Sequence, residues 1–90
     1  MRLDKYLKVS RLIKRRTVAK ELIDHDVIFV NGKIAKPSKE IHVNDLITLR
    51  LGRKEMEIRV LSLPQVATKK ETSDLYEVLS VKVINPSDPT

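Results

Sequence analysis

Residues 27–36, VIFVNGKIAK, constrain this chain more than any other stretch. A β-branched run, the pair Asn31-Gly32 and a return run form the strongest short-range hairpin signal, because a type I′ turn needs φ > 0 at both central positions. A second strand pair follows: ITLRL, then Gly52-Arg53, then MEIRVL. There Met56, Ile58 and Val60 alternate with Glu57 and Arg59, so one face is buried and the other wet. The connecting KPSKEIHVND carries turn chemistry at Pro37-Ser38 and Asn44-Asp45.

Before residue 27 the apolar period is 3.6, not 2. In RLDKYLKVS, Leu3, Tyr6 and Leu7 have helical spacing, and Asp4 stands four residues before Lys8 in the favourable order for an ion pair. In RTVAKELIDH, Val18 with Leu22 and Ala19 with Ile23 make one apolar stripe, flanked by Arg16 and Lys20. Basic residues recur at 2, 5, 8, 11 and 14, a step that would smear them around one continuous helix. A break near Ser10, with SRLIK as the connection, lets two short helices present cations on a common side. The pattern predicts an α+β unit: two short helices packed on a small, largely antiparallel sheet.

Pro64 closes that unit, giving a domain over residues 1–63 and a C-terminal extension over 64–90. Within the extension, Ser73 as an N-cap followed by Leu75, Val78 and Leu79 suggests a modest helix, and NPSDPT reads as a frayed end.

Charge separates the two ends of the chain. The net charge is +6, yet residues 1–20 hold eight cations and one anion, while the other seventy residues hold ten cations and eleven anions. An excess confined to one quarter of the chain fits one face meeting a polyanion. Cysteine is absent and His25 and His42 show no ligand spacing, so neither disulfides nor a metal site is expected. Lysines interrupt the N-terminal apolar residues, which argues against a signal peptide or membrane span and for a cytoplasmic protein. No nucleophile with a base, carboxylate pair or glycine-rich phosphate loop is recognisable; the expectation is a binding module without catalytic residue or cofactor. A DNA-binding regulator is the alternative, but residues 16–26 contain neither Asn nor Gln for base readout.

Four blocks, RLDKYL, KRRTVAKELI, VIFVNGK and VNDLI, resemble in order and spacing the S-four RNA-binding domain over residues 1–51. Among its members the chain is similar to the stand-alone proteins of bacterial ribosome-associated quality control and, more distantly, to heat-shock protein fifteen. The resemblance implies an αL-type RNA-binding fold that binds large ribosomal subunits obstructed by peptidyl-tRNA. It also implies contact with ribosomal RNA and tRNA as a monomer, supporting alanine tailing by an RqcH-type factor. Arg2 and Arg16 match arginines expected to meet ribosomal RNA, and Asp4 matches the acidic position of the opening motif. Lys5, Arg11, Lys14, Arg15 and Lys20 match the basic surface more loosely. The chain has Asp26 and Asn44 where the family usually has glycine; both residue types visit positive φ readily.

Overall fold

The computed structural model describes residues 1–63 and 75–83. Helix α1 spans Leu3–Val9 and α2 spans Arg16–Asp24. Five strands follow, β1 (Ile28–Val30), β2 (Lys33–Ile34), β3 (Leu46–Leu51), β4 (Lys54–Val60) and β5 (Tyr76–Val83), in the spatial order β2-β1-β3-β4-β5. Every neighbouring pair is antiparallel.

The expected turns form where their chemistry demands them. Val30 pairs with Lys33 across Asn31 (φ 52) and Gly32 (φ 81), so both central residues occupy the left-handed region that a type I′ turn requires. The Asn31 side chain anchors the turn to β3, donating from Nδ2 to Asp45 Oδ1 at 3.1 Å and accepting the Leu46 N–H at 3.0 Å. Asp26 (φ 60) ends α2: its N–H donates to the Ile23 carbonyl at 3.1 Å and the Val27 N–H to the Leu22 carbonyl at 3.5 Å. That bonding is a Schellman motif, with aspartate where glycine is commoner. Asn44 (φ 77) turns the chain into β3.

Leu3, Tyr6 and Leu7 of α1 and Ala19 and Ile23 of α2 pack on Ile28, Val30, Ile47, Leu49, Ile58 and Val60, all buried. The stripe of α2 is narrower than its sequence suggests, since Leu22 is half-buried and Val18 is 40% exposed. No helix among the described residues is long and apolar enough to cross a membrane.

The helix expected after Ser73 is corrected by the structure. Ser73 lies outside the described residues, as does NPSDPT, but Tyr76–Val83 is a strand paired along β4. Glu57 faces Ser80 and Ile58 faces Val78, leaving Leu79 as an extra residue at a bulge. In sequence Leu75, Val78 and Leu79 imitate an i, i+3, i+4 helical edge, but the strand accommodates Leu79 as the extra residue of the bulge. A long-range bond ties the strand to the first helix, the Tyr6 hydroxyl donating to the Leu75 carbonyl at 2.6 Å in the interior.

A Cβ at Gly32 would meet no atom within 4 Å, so replacing it tests backbone strain alone. Gly32→Val should cost about 1–3 kcal/mol in denaturant unfolding and Gly32→Asn much less; equal midpoints would show that positive φ is not what this turn requires. Burial, and secondarily the Tyr76 phenol, holds the Tyr6 hydroxyl well above tyrosine's ordinary 10.0. A group whose pKa is raised in the fold stabilises it below the unfolded value, and the benefit is lost as the unfolded phenol ionises above 10.0. Tyr6→Phe should therefore be less stable at neutral pH by about 0.5–1.5 kcal/mol, while losing less stability than the parent chain above pH ~10.

Candidate functional site

The first residues of the chain are held by backbone bonds to a distant segment. The Leu3 N–H donates to the Lys39 carbonyl at 2.8 Å, the Ile41 N–H donates to the Met1 carbonyl at 2.9 Å, and Arg2 forms a β-bridge with Glu40. The opening turn of α1 is thereby fixed, and Asp4 within it is only 2% exposed. A buried carboxylate is costly unless paired and hydrogen-bonded. Asp4 Oδ1 accepts the Lys5 N–H at 2.8 Å and lies 3.3 Å from Arg2 Nε; Asp4 Oδ2 accepts from Arg2 Nη2, Arg16 Nε and Arg16 Nη2, each at 3.4 Å.

One carboxylate thus joins the N-cap residue of α1 to the first residue of α2. These contacts are longer than the ~2.7–2.9 Å of optimal charge-assisted bonds. The side chains of Arg2 and Arg16 remain 52% and 50% exposed, so each guanidinium leans on Asp4 while keeping an open side toward solvent. The Asp4–Lys8 pair suggested by helical spacing is not formed. The Asp4 carboxylate itself is turned to the two arginines and shielded from solvent.

The remaining predicted cations, Lys5, Arg11, Lys14, Arg15 and Lys20, are all exposed on α1, the connection and α2. None makes an ion pair among the described residues. Arg11 lies just past the end of α1 with φ 61, a position at which glycine would be unstrained and arginine costs about 1–2 kcal/mol. Arg15 caps α2 without a side-chain bond and the first turn holds no acidic residue, so the helix's free N–H groups and positive dipole end add to the cations around them.

The opposite face of the sheet is different. Arg50 pairs with Glu55 at 3.8 Å and lies 5.1 Å over the Phe29 ring, and Arg59 pairs with Glu77. Two arginines are paired there, whereas around the helices Lys5, Arg11, Lys14, Arg15 and Lys20 are unpaired among the described residues. Such a surface can hold phosphate oxygens in the planar fork of a guanidinium. Among the described residues no group of three histidine, cysteine or carboxylate side chains could hold a metal.

Beyond the predicted set, the fold brings residues 36–41 beside Arg2 and Asp4, the Asp4 N–H donating to the Pro37 carbonyl at 3.3 Å. Lys33, Lys36 and Lys39 recur every three residues in and just before this segment, a sequence signal of a second basic element.

Asp4→Asn should release both arginines from one carboxylate. The expected result is a loss of about 1–3 kcal/mol in unfolding free energy, with faster solvent exchange of the Arg2 and Arg16 Nε–H protons by NMR. Unchanged exchange at both would show that Asp4 does not hold them.

The S4 domain model matches residues 1–47. The chain is 50% identical over 80 residues to the RQC P-site tRNA stabilizing factor of Streptococcus pneumoniae, covering 89% of this chain and 91% of that one. It is 47% identical over 79 residues to the protein so named in Bacillus subtilis, covering 88% and 92%. Among solved structures it is similar to heat shock protein 15 of Vibrio cholerae, with a TM-score of 0.79 at 33% identity, over 87% of this chain and 80% of that one.

Proposed function

The chain belongs to the S4 domain family and, within it, to the RQC P-site tRNA stabilizing factors, and from that premise we propose that it binds large ribosomal subunits obstructed by peptidyl-tRNA. It contacts ribosomal RNA and the tRNA as a monomeric, non-enzymatic cytoplasmic factor, and supports C-terminal alanine tailing by an RqcH-type partner. RNA contact resides in residues 1–63, and residues 64–90 are an extension of that unit.

The observation that carries this reading is the placement of Arg2 and Arg16 by one buried carboxylate, at the junction of two helix starts, among further cations that are unpaired among the described residues. Ordering a long side chain on binding costs about 0.5–1.5 kcal/mol, and arginines already leaning on Asp4 are partly spared that cost. With Tyr6 buried and Phe29 under Arg50 on the far face, the described residues offer no aromatic platform on the helix side except half-buried Tyr76. Recognition then rests on backbone phosphates and shape.

Sucrose-gradient sedimentation of lysate tests the reading, with the protein expected on large subunits that carry peptidyl-tRNA. Enrichment on small subunits, or uniform distribution over free RNA, would overturn it. Arg2→Ala with Arg16→Ala should lower large-subunit affinity about 100-fold or more, since each lost charged contact is worth roughly 1.5–3 kcal/mol. That pair also strands the Asp4 carboxylate, so Arg2→Lys with Arg16→Lys provides a variant whose interior stays compensated. It should lose about tenfold, because an ammonium cannot grip phosphate bidentately. Lys54→Ala with Lys82→Ala removes as much charge from the far edge of the sheet and should have little effect; an equal loss would mean that net charge alone attracts the RNA.

A further inference from the structure

We infer that the groove beside the β1–β2 hairpin is a second RNA subsite, which takes one unstacked nucleotide of a single-stranded segment. The inference rests on the RNA-binding reading above and adds a site separate from the arginine pair. The groove has a volume of about 450 Å³, within the ~300–1,000 Å³ of small-molecule sites. Val30, Ile34 and Ala35 supply an apolar wall, and Lys33, Lys36 and Lys39 stand around it.

Two features of this groove point to a ligand that is both apolar and anionic. Ile34 is 59% exposed on a two-residue strand, an apolar surface that folding leaves in water next to the buried Val30 and Ala35. The three lysines are exposed and make no ion pair among the described residues, although carboxylates are near in sequence. Glu40 faces the terminal ammonium at 3.7 Å, and Asp45 accepts from the His42 N–H at 2.8 Å and from Asn31. A turn in which the Lys39 N–H donates to the Lys36 carbonyl at 2.9 Å holds two of the lysines close together.

A base has an apolar face and its flanking phosphates are anionic, so a nucleotide satisfies both halves of the groove. A duplex cannot, because its bases are stacked and paired while its outer surface is phosphate and sugar; the base must come out of the stack to reach Ile34. The Asn31 amide is committed to Asp45 and Leu46, so no side-chain amide of the groove remains to read adenine bidentately. The groove adjoins the arginine pair through the Leu3 and Asp4 bonds to residues 37 and 39. One RNA strand, or two brought together, can therefore occupy both.

Fluorescence anisotropy with two labelled RNAs tests this: a single strand of about 12 nucleotides and a stem-loop with a tightly closed tetraloop. Lys33→Ala, Lys36→Ala and Lys39→Ala combined should weaken single-strand binding about tenfold or more, and stem-loop binding less than about threefold. Ile34→Glu, at an exposed position that does not hold the fold together, should give the same selective loss. Arg53→Ala, Lys54→Ala and Lys82→Ala combined remove equal charge from the opposite end of the sheet and should affect both RNAs weakly and alike. The inference is overturned by equal losses for the two RNAs, by equal losses from the two triple variants, or by an acidic glutamate peptide binding as tightly as the single strand. If the parent chain binds neither RNA, the RNA-binding reading falls with it; if it binds both and the lysine variant is unaffected, only the groove assignment falls.

Discussion

The Asp4 carboxylate is the contact on which the basic face of the two helices depends. It is buried at the first turn of α1, and burying it is tolerable because guanidiniums from both helices and one backbone N–H surround it. The arrangement works in two directions. Arg2 and Arg16 make the buried charge acceptable, and the buried charge holds the arginines at the seam between the helices. Side chains that would otherwise sample many rotamers are brought to one place before any ligand arrives.

The frame that holds this seam is assembled from distant parts of the chain. Residues 37–41 bind the backbone of Met1, Leu3 and Asp4, and Asn31 fastens the hairpin turn to β3. Tyr6 reaches from α1 to the Leu75 carbonyl at the entrance to β5. The Tyr6 bond lies in the interior, where an unmade bond costs the desolvation of the groups involved. The start of α1 is therefore set by the sheet and by the last strand as much as by its own helical propensity.

Charge follows the same division. On β3, β4 and β5, Arg50 pairs with Glu55 and Arg59 with Glu77, while among the described residues the cations of the helical face have no acidic partner apart from Asp4. Basic residues near a helix N-terminus oppose its dipole by about 0.3–1 kcal/mol each when exposed. Stability does not explain Lys14 and Arg15 at the start of α2, and neither does it explain Arg11 at positive φ; Arg16 differs, because it compensates the buried Asp4. Cations placed at such a cost suit a polyanion-binding surface, where each phosphate contact releases counterions and adds affinity.

Local rules were enough for much of this protein. The 3.6-residue spacing of Leu3, Tyr6 and Leu7, the break near Ser10, the Asn31-Gly32 hairpin and the turn at Asn44-Asp45 all concern neighbours within a few residues, and each was legible in the sequence; Asp26 as a turn residue was legible only through the family resemblance. So was the concentration of cations in residues 1–20. Non-local pairing decided the rest. Val78 and Leu79 look helical by spacing, yet the free edge of β4 takes residues 76–83 as a strand and absorbs the extra residue as a bulge. Asp4 could pair with Lys8 by helical geometry, yet α2 brings Arg16 to a carboxylate that is shielded from water, where a paired charge matters most. Lys36 and Lys39 stand more than thirty positions from Arg2 and adjoin it only through the bridge at the start of the chain. Sequence determines what can be settled within a turn or two of backbone. Which charges are buried, and which meet across the fold, depends on desolvation and edge pairing, and these exist only once the tertiary structure has formed.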